Sequence, residues 1–266
     1  MEYENMILDV KDGIATLTLN NPEKLNAMST PMWDDFRKIV DHIKGNEEIK
    51  VLIITGSGRG FCSGSDVSGR LAANIEGKGP QKTQAELLEG TGYVAQVIRE
   101  LDIPIIAAIN GVAAGAGLSL ILLSDIRIAS ETARIGAIWV RVGLIGDLGA
   151  TMLLPQLIGP DKAFEMLTTG IMIDAQEAER IGLVTRVVPA EELMPEVNKL
   201  AMKLAKGPAL SIKLMKKALY QGLTHNDLKT QLAFESFAQG VCRQSEDHRE
   251  GVRAFMEKRE AQFKGI

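Results

Sequence analysis

A run of small residues, Asn110–Ser119, joins two apolar segments in the middle of the chain. The segment before it, Ile105–Ile109, predicts a buried strand, and the segment after it, Leu118–Leu123, predicts a buried helix. Glycine and alanine at such a junction allow two backbones to approach closely, or leave the N–H groups of a helix start facing a ligand. The local sequence supports tight packing and ligand binding equally well.

Size and charge narrow the class of protein. With 266 residues the chain could form one large domain or two small ones around a sizeable core. The net charge of −4 and the scattered Lys and Arg residues argue against a nucleic-acid binder. An acidic N-terminus, the absence of a long uncharged run and two distant cysteines, Cys62 and Cys242, predict a soluble cytoplasmic protein with reduced thiols, no membrane span and no zinc site.

Strand and helix signals alternate in the first part of the chain. Ile7–Val10 and Ile14–Leu19 predict a hairpin, because Lys11–Gly13 between them has turn chemistry. Ser29–Ile43 predicts a helix with Ser29 as its N-cap, and Val51–Thr55 predicts a buried strand. This order predicts a stacked core of the α/β class.

The pattern becomes more helical toward the C-terminus. Ser68–Pro80 predicts a polar, mobile loop, and Thr83–Leu101 predicts a long helix. From Glu191 onward the pattern is almost wholly helical. We therefore predict an α/β core over residues 1–190 and a helical region over residues 191–266.

A glycine-rich loop, Gly56–Asp66, directly follows a predicted strand. The dinucleotide-binding fingerprint fails because Phe61 stands where its third glycine is required, and no Gly-Lys-Ser/Thr sequence follows for a P-loop. Both nucleotide-binding motifs are thereby excluded. Cys62 in this loop has apolar neighbours, which favours packing over a nucleophilic role.

Five segments, in order along nearly the whole chain, resemble the crotonase superfamily, the enoyl-CoA hydratase/isomerase family. They are Asn21–Ala27, Phe61–Asp66, Ile109–Gly117, Gly182–Val184 and Ala254–Arg259. Each motif alone is weak, but five in this order are specific. The run Gly111–Gly117 and the run Gly143–Asp147 are most similar to the branch that contains ring-1,2-epoxyphenylacetyl-CoA isomerases.

The resemblance implies a crotonase-type core of repeated β-β-α turns and a helical C-terminal region that mediates trimerisation. A homotrimer or a dimer of trimers is the implied assembly. It also implies an acyl-CoA thioester as the substrate, with coenzyme A as part of that substrate and with no metal or separate cofactor.

Matched to the family motifs, the backbone N–H groups of Ser65 and Ala116 hold the thioester oxygen, with Gly115 and Gly117 admitting the ligand. Two such donors stabilise the enolate that forms, and losing one typically costs roughly 3–4 kcal/mol. The positions implied to bind the coenzyme A portion, the last two often supplied by a neighbouring subunit, are Lys24, Leu25, Ala27, Ser63, Asp66, Gly115, Phe255 and Lys258.

The two glutamates of the hydratase pattern are replaced in this chain. Ungapped counting through the motifs puts Ser119 and Trp139 at their positions, and neither side chain can act as a carboxylate base. Both residues are instead expected to line the acyl pocket. Asp147, which follows Trp139 by eight residues, is either the cap of the next helix or the catalytic carboxylate.

We predict that Asp147 moves a proton during double-bond or ring isomerisation. One carboxylate suffices, because it can take a proton from one carbon and return it two carbons away. Three alternatives remain open: hydration of a 2-enoyl-CoA by Asp147 alone, hydrolytic dehalogenation with Asp147 as nucleophile beside Trp139, and a non-catalytic coenzyme A-binding or RNA-binding homologue. The acidic balance argues against RNA binding.

Overall fold

The computed structural model describes residues 3–66, 92–225 and 227–265. Within these ranges ten strands form two sheets. The strands are β1 (Met6–Lys11), β2 (Ile14–Leu19), β3 (Val51–Gly56), β4 (Gly60–Cys62), β5 (Ile105–Ile109), β6 (Val112–Ala114), β7 (Ile126–Ser130), β8 (Arg134–Gly136), β9 (Met172–Asp174) and β10 (Arg186–Val188).

Helices separate and cover these strands. The α-helices are α1 (Thr30–Lys44), α2 (Tyr93–Glu100), α3 (Ala116–Leu123), α4 (Ala150–Ile158), α5 (Pro160–Thr169), α6 (Ala175–Arg180), α7 (Leu193–Ala205), α8 (Ala209–His225), α9 (Leu228–Gln244) and α10 (Glu246–Glu257). Short 3-10 helices cover Pro22–Lys24, Ile138–Val142 and Ala190–Glu192.

Successive β-β-α units of the chain contribute one strand to each of the two sheets. The first sheet has the order β1-β2-β3-β5-β7-β10 and the second has the order β4-β6-β8-β9. Strands β5 and β6, followed by α3, therefore place one strand in each sheet before the helix, and β7 and β8 repeat the arrangement ahead of α4. The predicted crotonase-type α/β core of β-β-α turns is confirmed.

Local signals explain the first elements. Asp12 and Gly13 adopt φ values of 52° and 76°, which close the antiparallel β1–β2 hairpin. The Ser29 hydroxyl accepts a hydrogen bond from Met32 N at 3.4 Å and caps α1. Helix α1 buries Phe36 and Ile39 completely, and each such side chain contributes roughly 1.5–3 kcal/mol on leaving water.

The short strands of the second sheet were not predicted. Strand β4 lies inside Gly56–Asp66, which the sequence analysis assigned to a loop, and β6 lies inside the small-residue run Asn110–Ser119. Each has three residues, so no alternating pattern of side chains can develop. Their pairing is a product of tertiary structure.

The C-terminal region begins with a helix that belongs to the core. Leu193, Val197 and Ala201 of α7 pack on the face of the first sheet that carries Ile53 and Ile106. The helices that follow, α8 to α10, confirm the predicted helical C-terminal region. The division at residue 190 and the role in trimerisation stay predictions.

Two boundaries differ from expectation. The helix predicted to begin near Asp147 begins at Ala150, because Leu148 and Gly149 take left-handed φ values of 51° and 85°. Helix α2 is described from Tyr93 onward; the Ser68–Pro80 loop and the start of the Thr83–Leu101 helix lie outside the described residues. Throughout the described ranges, no helix is long and apolar enough to cross a membrane.

Candidate active site

The segment after β4 carries Ser65, the first predicted oxyanion donor. Met28 N donates to Gly64 O at 2.7 Å and Asp66 N donates to Met28 O at 3.0 Å, which forms a parallel bridge between Met28 and Ser65. In a parallel bridge the central residue turns its own N–H away from its partner. The Ser65 N–H therefore points away from the strand-like segment at Met28.

Helix α3 begins at Ala116, the second predicted donor. Its N-cap, Gly115, has φ 53° and ψ −122°, and the Gly115 N–H donates to Gly136 O at 3.2 Å. The N–H of a first helical residue has no acceptor within its own helix. The start of α3 thus presents the kind of backbone donor that stabilises an oxyanion.

The two donor segments lie close to each other at their glycines. A Cβ placed on Gly64 would lie 3.8 Å from Ala116 N, and a Cβ placed on Gly115 would lie 3.7 Å from the Gly64 Cα. Because Ser65 directly follows Gly64, the predicted donors come from two neighbouring segments. A thioester oxygen held between them stays a prediction.

Gly117 has a packing role in this structure. A Cβ at this position would lie 2.0 Å from Cys62 O and 2.9 Å from Cys62 C, so α3 can approach β4 only with glycine here. The family motif predicts that Gly117 admits a ligand, whereas the close approach that the structure shows is between two backbones.

Asp147 is joined to α3 through Ser119. The Ser119 hydroxyl lies 3.1 Å from the main-chain O of Asp147 and 3.2 Å from its Oδ1. Ser119 follows Ala116 by three residues, so the two share a face of α3 one helical turn apart. Asp147 is exposed and is not the N-cap of α4, which is Gly149. The helix-capping interpretation of Asp147 is therefore wrong.

Trp139 lies next to the start of α3. It lies in the 3-10 helix Ile138–Val142 and is 6% exposed. A Cβ on Gly115 would lie 3.9 Å from the Trp139 Nε1 and 3.7 Å from Ile138. The indole is thus next to the start of α3, and its role in lining an acyl pocket stays a prediction.

The predicted coenzyme A loop is tied to the Ser65 segment. Ser63 N donates to Leu25 O at 2.9 Å, and the Ser63 hydroxyl donates to Lys24 O at 3.1 Å. The Lys24 ammonium pairs with Asp66 at 2.9 Å. Ala27 is buried, and its contact with coenzyme A stays a prediction.

Asn26 and Asn110 connect these segments by hydrogen bonds, although the sequence predicted no role for either residue. Asn26 is fully buried, and its Nδ2 donates to Ser57 O at 3.0 Å and to Gly60 O at 2.7 Å. Both asparagines lie within the quoted motifs. An asparagine at the end of a buried strand or inside an apolar loop is the signal that could have indicated such backbone bonding.

Phe255 and Lys258 lie apart from this cluster. Phe255, which is 86% exposed, borders a groove with Pro208, Cys242 and Phe263, all outside the loops that carry Ser65 and Ala116. Lys258 terminates α10 with a φ of 53°. Within one chain the structure does not bring these residues to the other predicted contacts.

Cys62 has the properties of a packing residue. It is fully buried, and burial raises the pKa of its thiol to about 12. A thiol that stays protonated at neutral pH is a poor nucleophile. Among the described side chains, no group of three His, Cys, Asp or Glu residues could hold a metal ion; the absence of a resident cofactor stays a prediction.

The fold, in which the Gly64 and Gly115 segments lie side by side, is that of a crotonase-type enzyme. The sequence also matches the model of one family. The match to the enoyl-CoA hydratase/isomerase family covers residues 9–266. The chain belongs to this family and is an acyl-CoA enzyme.

Two curated relatives are equally similar to the chain. It is 36% identical over 265 residues to the crotonyl-CoA hydratase of Syntrophomonas wolfei, covering 99% of each chain. It is also 36% identical over 263 residues to the 1,2-epoxyphenylacetyl-CoA isomerase of Escherichia coli, covering 98% of this chain and 99% of that protein. Overall identity therefore does not choose between hydration and isomerisation.

Solved structures share the fold over their full length. The crystal structure of an enoyl-CoA hydratase from Bacillus anthracis superposes with a TM-score of 0.90 at 32% identity, covering 99% of this chain and 100% of that chain.

Proposed function

We propose that the protein isomerises an acyl-CoA thioester, shifting a double bond or rearranging a ring, with Asp147 as the acid/base. The observation that carries the proposal is the contact between Ser119 and Asp147, with its 3.2 Å distance from hydroxyl to Oδ1. It attaches a carboxylate to the helix whose first N–H is the proposed oxyanion donor.

The reaction follows from this placement. The N–H groups of Ser65 and Ala116 donate hydrogen bonds to the thioester oxygen, which is their shared acceptor. Asp147 removes a proton from the carbon beside or conjugated with the carbonyl, and the electron pair moves onto the thioester oxygen as an enolate. When the enolate collapses, Asp147 returns the proton at a different carbon, so the double bond has moved and no atom is gained or lost.

The residues at positions 119 and 139 disfavour the two-carboxylate hydration mechanism. Ser119 is fully buried and its hydroxyl contacts Asp147, while Trp139 places an indole beside Gly115. Neither can activate a water molecule as a carboxylate does. An allylic proton shift requires one acid/base, and Asp147 supplies it.

Hydration by Asp147 alone is the second candidate function. The similarity to a crotonyl-CoA hydratase, equal to that to an isomerase, favours keeping it. With crotonyl-CoA as the probe, a loss of the conjugated-thioester absorbance would support hydration. An unchanged absorbance, together with turnover of a 3-enoyl-CoA or a ring substrate, would support isomerisation.

Asp147→Asn tests the acid/base assignment. A panel of aliphatic and aromatic acyl-CoAs first identifies the substrate of the wild-type protein. General acid/base catalysis contributes roughly 10²–10⁴-fold, so turnover by Asp147→Asn should fall by at least about 100-fold. Asp161→Asn, an exposed aspartate in the first turn of α5, is the control and should keep wild-type turnover. Activity of Asp147→Asn within a few-fold of wild type would reject the assignment.

We further propose that the chain assembles as a homotrimer through its C-terminal helices. Large apolar side chains on α8 to α10 are at least half exposed, and such patches mark interaction surfaces. They are Met215, Leu219, Leu223, Leu228, Leu232, Phe237, Phe255 and Met256. Light scattering should give three times the mass of one chain, or a multiple of that; a monomer at micromolar concentration would contradict the proposal.

A further inference from the structure

We infer that Ser119 is a positioning residue whose hydroxyl holds the Asp147 carboxylate in its working position. The inference rests on the proposed function, because it requires Asp147 to be the acid/base. Ser119 then does more than line the acyl pocket, which is the only role that the sequence predicts for it.

The geometry restrains Asp147 at two atoms. The Ser119 Oγ lies 3.1 Å from the main-chain O of Asp147 and 3.2 Å from its Oδ1. A hydroxyl has one proton, so at any moment it donates to one of these acceptors, and both belong to Asp147. The position of the Ser119 hydroxyl is set by α3, in which the Ser119 N–H donates to Gly115 O at 3.1 Å.

The turn that carries Asp147 has a backbone that needs such restraint. Leu148 has a φ of 51°, a conformation that a non-glycine residue keeps only where its surroundings hold it. The Leu148 side chain is 7% exposed and belongs to the main hydrophobic core. The turn is therefore anchored by Leu148 on one side and by the Ser119 hydroxyl on the other, which leaves the exposed Asp147 in a defined place.

Ser124, the C-cap of the same helix, provides a comparison with the hydrogen bonding of Ser119. The Ser124 hydroxyl donates to Leu120 O at 3.1 Å, four residues back in α3. This back-bonding is the common arrangement for serine in a helix. Ser119 instead reaches out of its helix to a residue 28 positions away in sequence. Its contact with Asp147 is a tertiary contact between the oxyanion helix and the proposed base.

Ser119→Ala tests the inference. Alanine fits the helix and removes only the hydroxyl. Because a hydrogen bond to a charged group and exact placement of a base each affect the transition state, kcat should fall about 10- to 100-fold while KM changes less than about threefold. Ser124→Ala removes a similarly buried hydroxyl from the C-cap of α3 and should leave kcat and KM unchanged.

Ser119→Cys keeps the test decisive if Ser119→Ala folds poorly, and a double variant tests whether the two residues act together. Ser119→Cys nearly keeps the side-chain volume but offers only a weak donor, so kcat should again fall with KM nearly constant. In the Asp147→Asn background, Ser119→Ala should lower the residual kcat by less than about twofold, because the group it positions is already disabled.

The outcomes separate the inference from the proposed function. If Asp147→Asn keeps wild-type turnover, the proposed function fails. If Asp147→Asn loses turnover but both Ser119→Ala and Ser119→Cys keep wild-type kcat, the positioning role alone fails. An equal loss from Ser119→Ala in the presence and absence of the Asp147 carboxylate would also overturn it, because the effect would then be independent of Asp147.

Discussion

Asn26 and Asn110 donate to the same acceptor, the carbonyl oxygen of Gly60, from 2.7 and 3.2 Å. A carbonyl oxygen has two lone pairs and accepts both bonds. The Oδ1 of Asn26 accepts from Asn21 N at 2.8 Å, and the Oδ1 of Asn110 accepts from Gly56 N at 3.1 Å. Two distant motifs are thereby fastened to the turn between β3 and β4, which leads into the Ser65 segment.

Asn26→Ala should destabilise the protein. The variant leaves the buried carbonyl of Gly60 with one donor fewer and the Asn21 N–H without its side-chain acceptor, and each such loss costs about 1–3 kcal/mol. Urea unfolding measures the change. Asn46→Ala is the control, because the Asn46 side chain caps an exposed turn at Glu48 and its loss should cost much less. Equal losses in the two variants would contradict the role of Asn26.

Gly117→Ala should disturb the contact between α3 and β4. The added methyl group would lie 2.0 Å from Cys62 O, and backbone on both sides has to move. Overpacking of this kind costs typically 1–3 kcal/mol, and the start of α3 should shift with it. The Tm measured by thermal unfolding and the turnover number should therefore both fall.

Gly240→Ala is the matched control for this helix glycine. A Cβ at Gly240, within α9, meets nothing within 4 Å, so alanine should be neutral or stabilising by up to about 1 kcal/mol. If Gly117→Ala had wild-type stability, the assigned packing role would be incorrect.

Tyr220 should ionise only in strong alkali. Its hydroxyl is half-buried and donates to Asp125 Oδ1 at 2.5 Å. Burial first, and then the Asp125 charge, raise its pKa from 10.0 to about 12. For an acid with a raised folded-state pKa, the stabilising contribution is complete below pH 10.0 and is lost as the pH rises to about 12. The phenolate absorbance of wild type minus Tyr220→Phe should show a midpoint near 12.

The hydrogen bond between Tyr220 and Asp125 can also be tested by measuring the stability of the protein as a function of pH. Tyr220→Phe should be less stable than wild type by a constant amount below pH 10.0, and the difference should shrink above it. A midpoint near 10.0 in a sample that circular dichroism shows to be folded would disprove the raised pKa.

Cys62 should resist alkylation in the folded protein. Its thiol is fully buried with a pKa raised to about 12, so almost no thiolate is present at neutral pH. Cys242 is partly exposed and serves as the internal control. Mass spectrometry after brief treatment with a thiol-alkylating reagent should find Cys242 labelled and Cys62 unlabelled until urea is added. Equal labelling of both in the native protein would argue for an accessible Cys62.

Elements with a strong local signal were predicted, and elements without one were not. Strand β2 alternates its side chains and α1 has a serine cap and an apolar face, so their positions follow from the sequence. Strands β4 and β6 have three residues each and exist because neighbouring strands pair with them. The left-handed turn at Leu148 likewise depends on its surroundings, which is why the start of α4 was misplaced.

The sequence by itself determined the family, the segments in which the two backbone donors are predicted, and the absence of a carboxylate at positions 119 and 139. These are matters of residue identity and order along the chain. Only the tertiary structure decided that Gly117 packs against Cys62 and that Ser119 reaches Asp147. Contacts of this kind depend on where whole elements come to lie and which way their side chains point, and local periodicity carries no information on either.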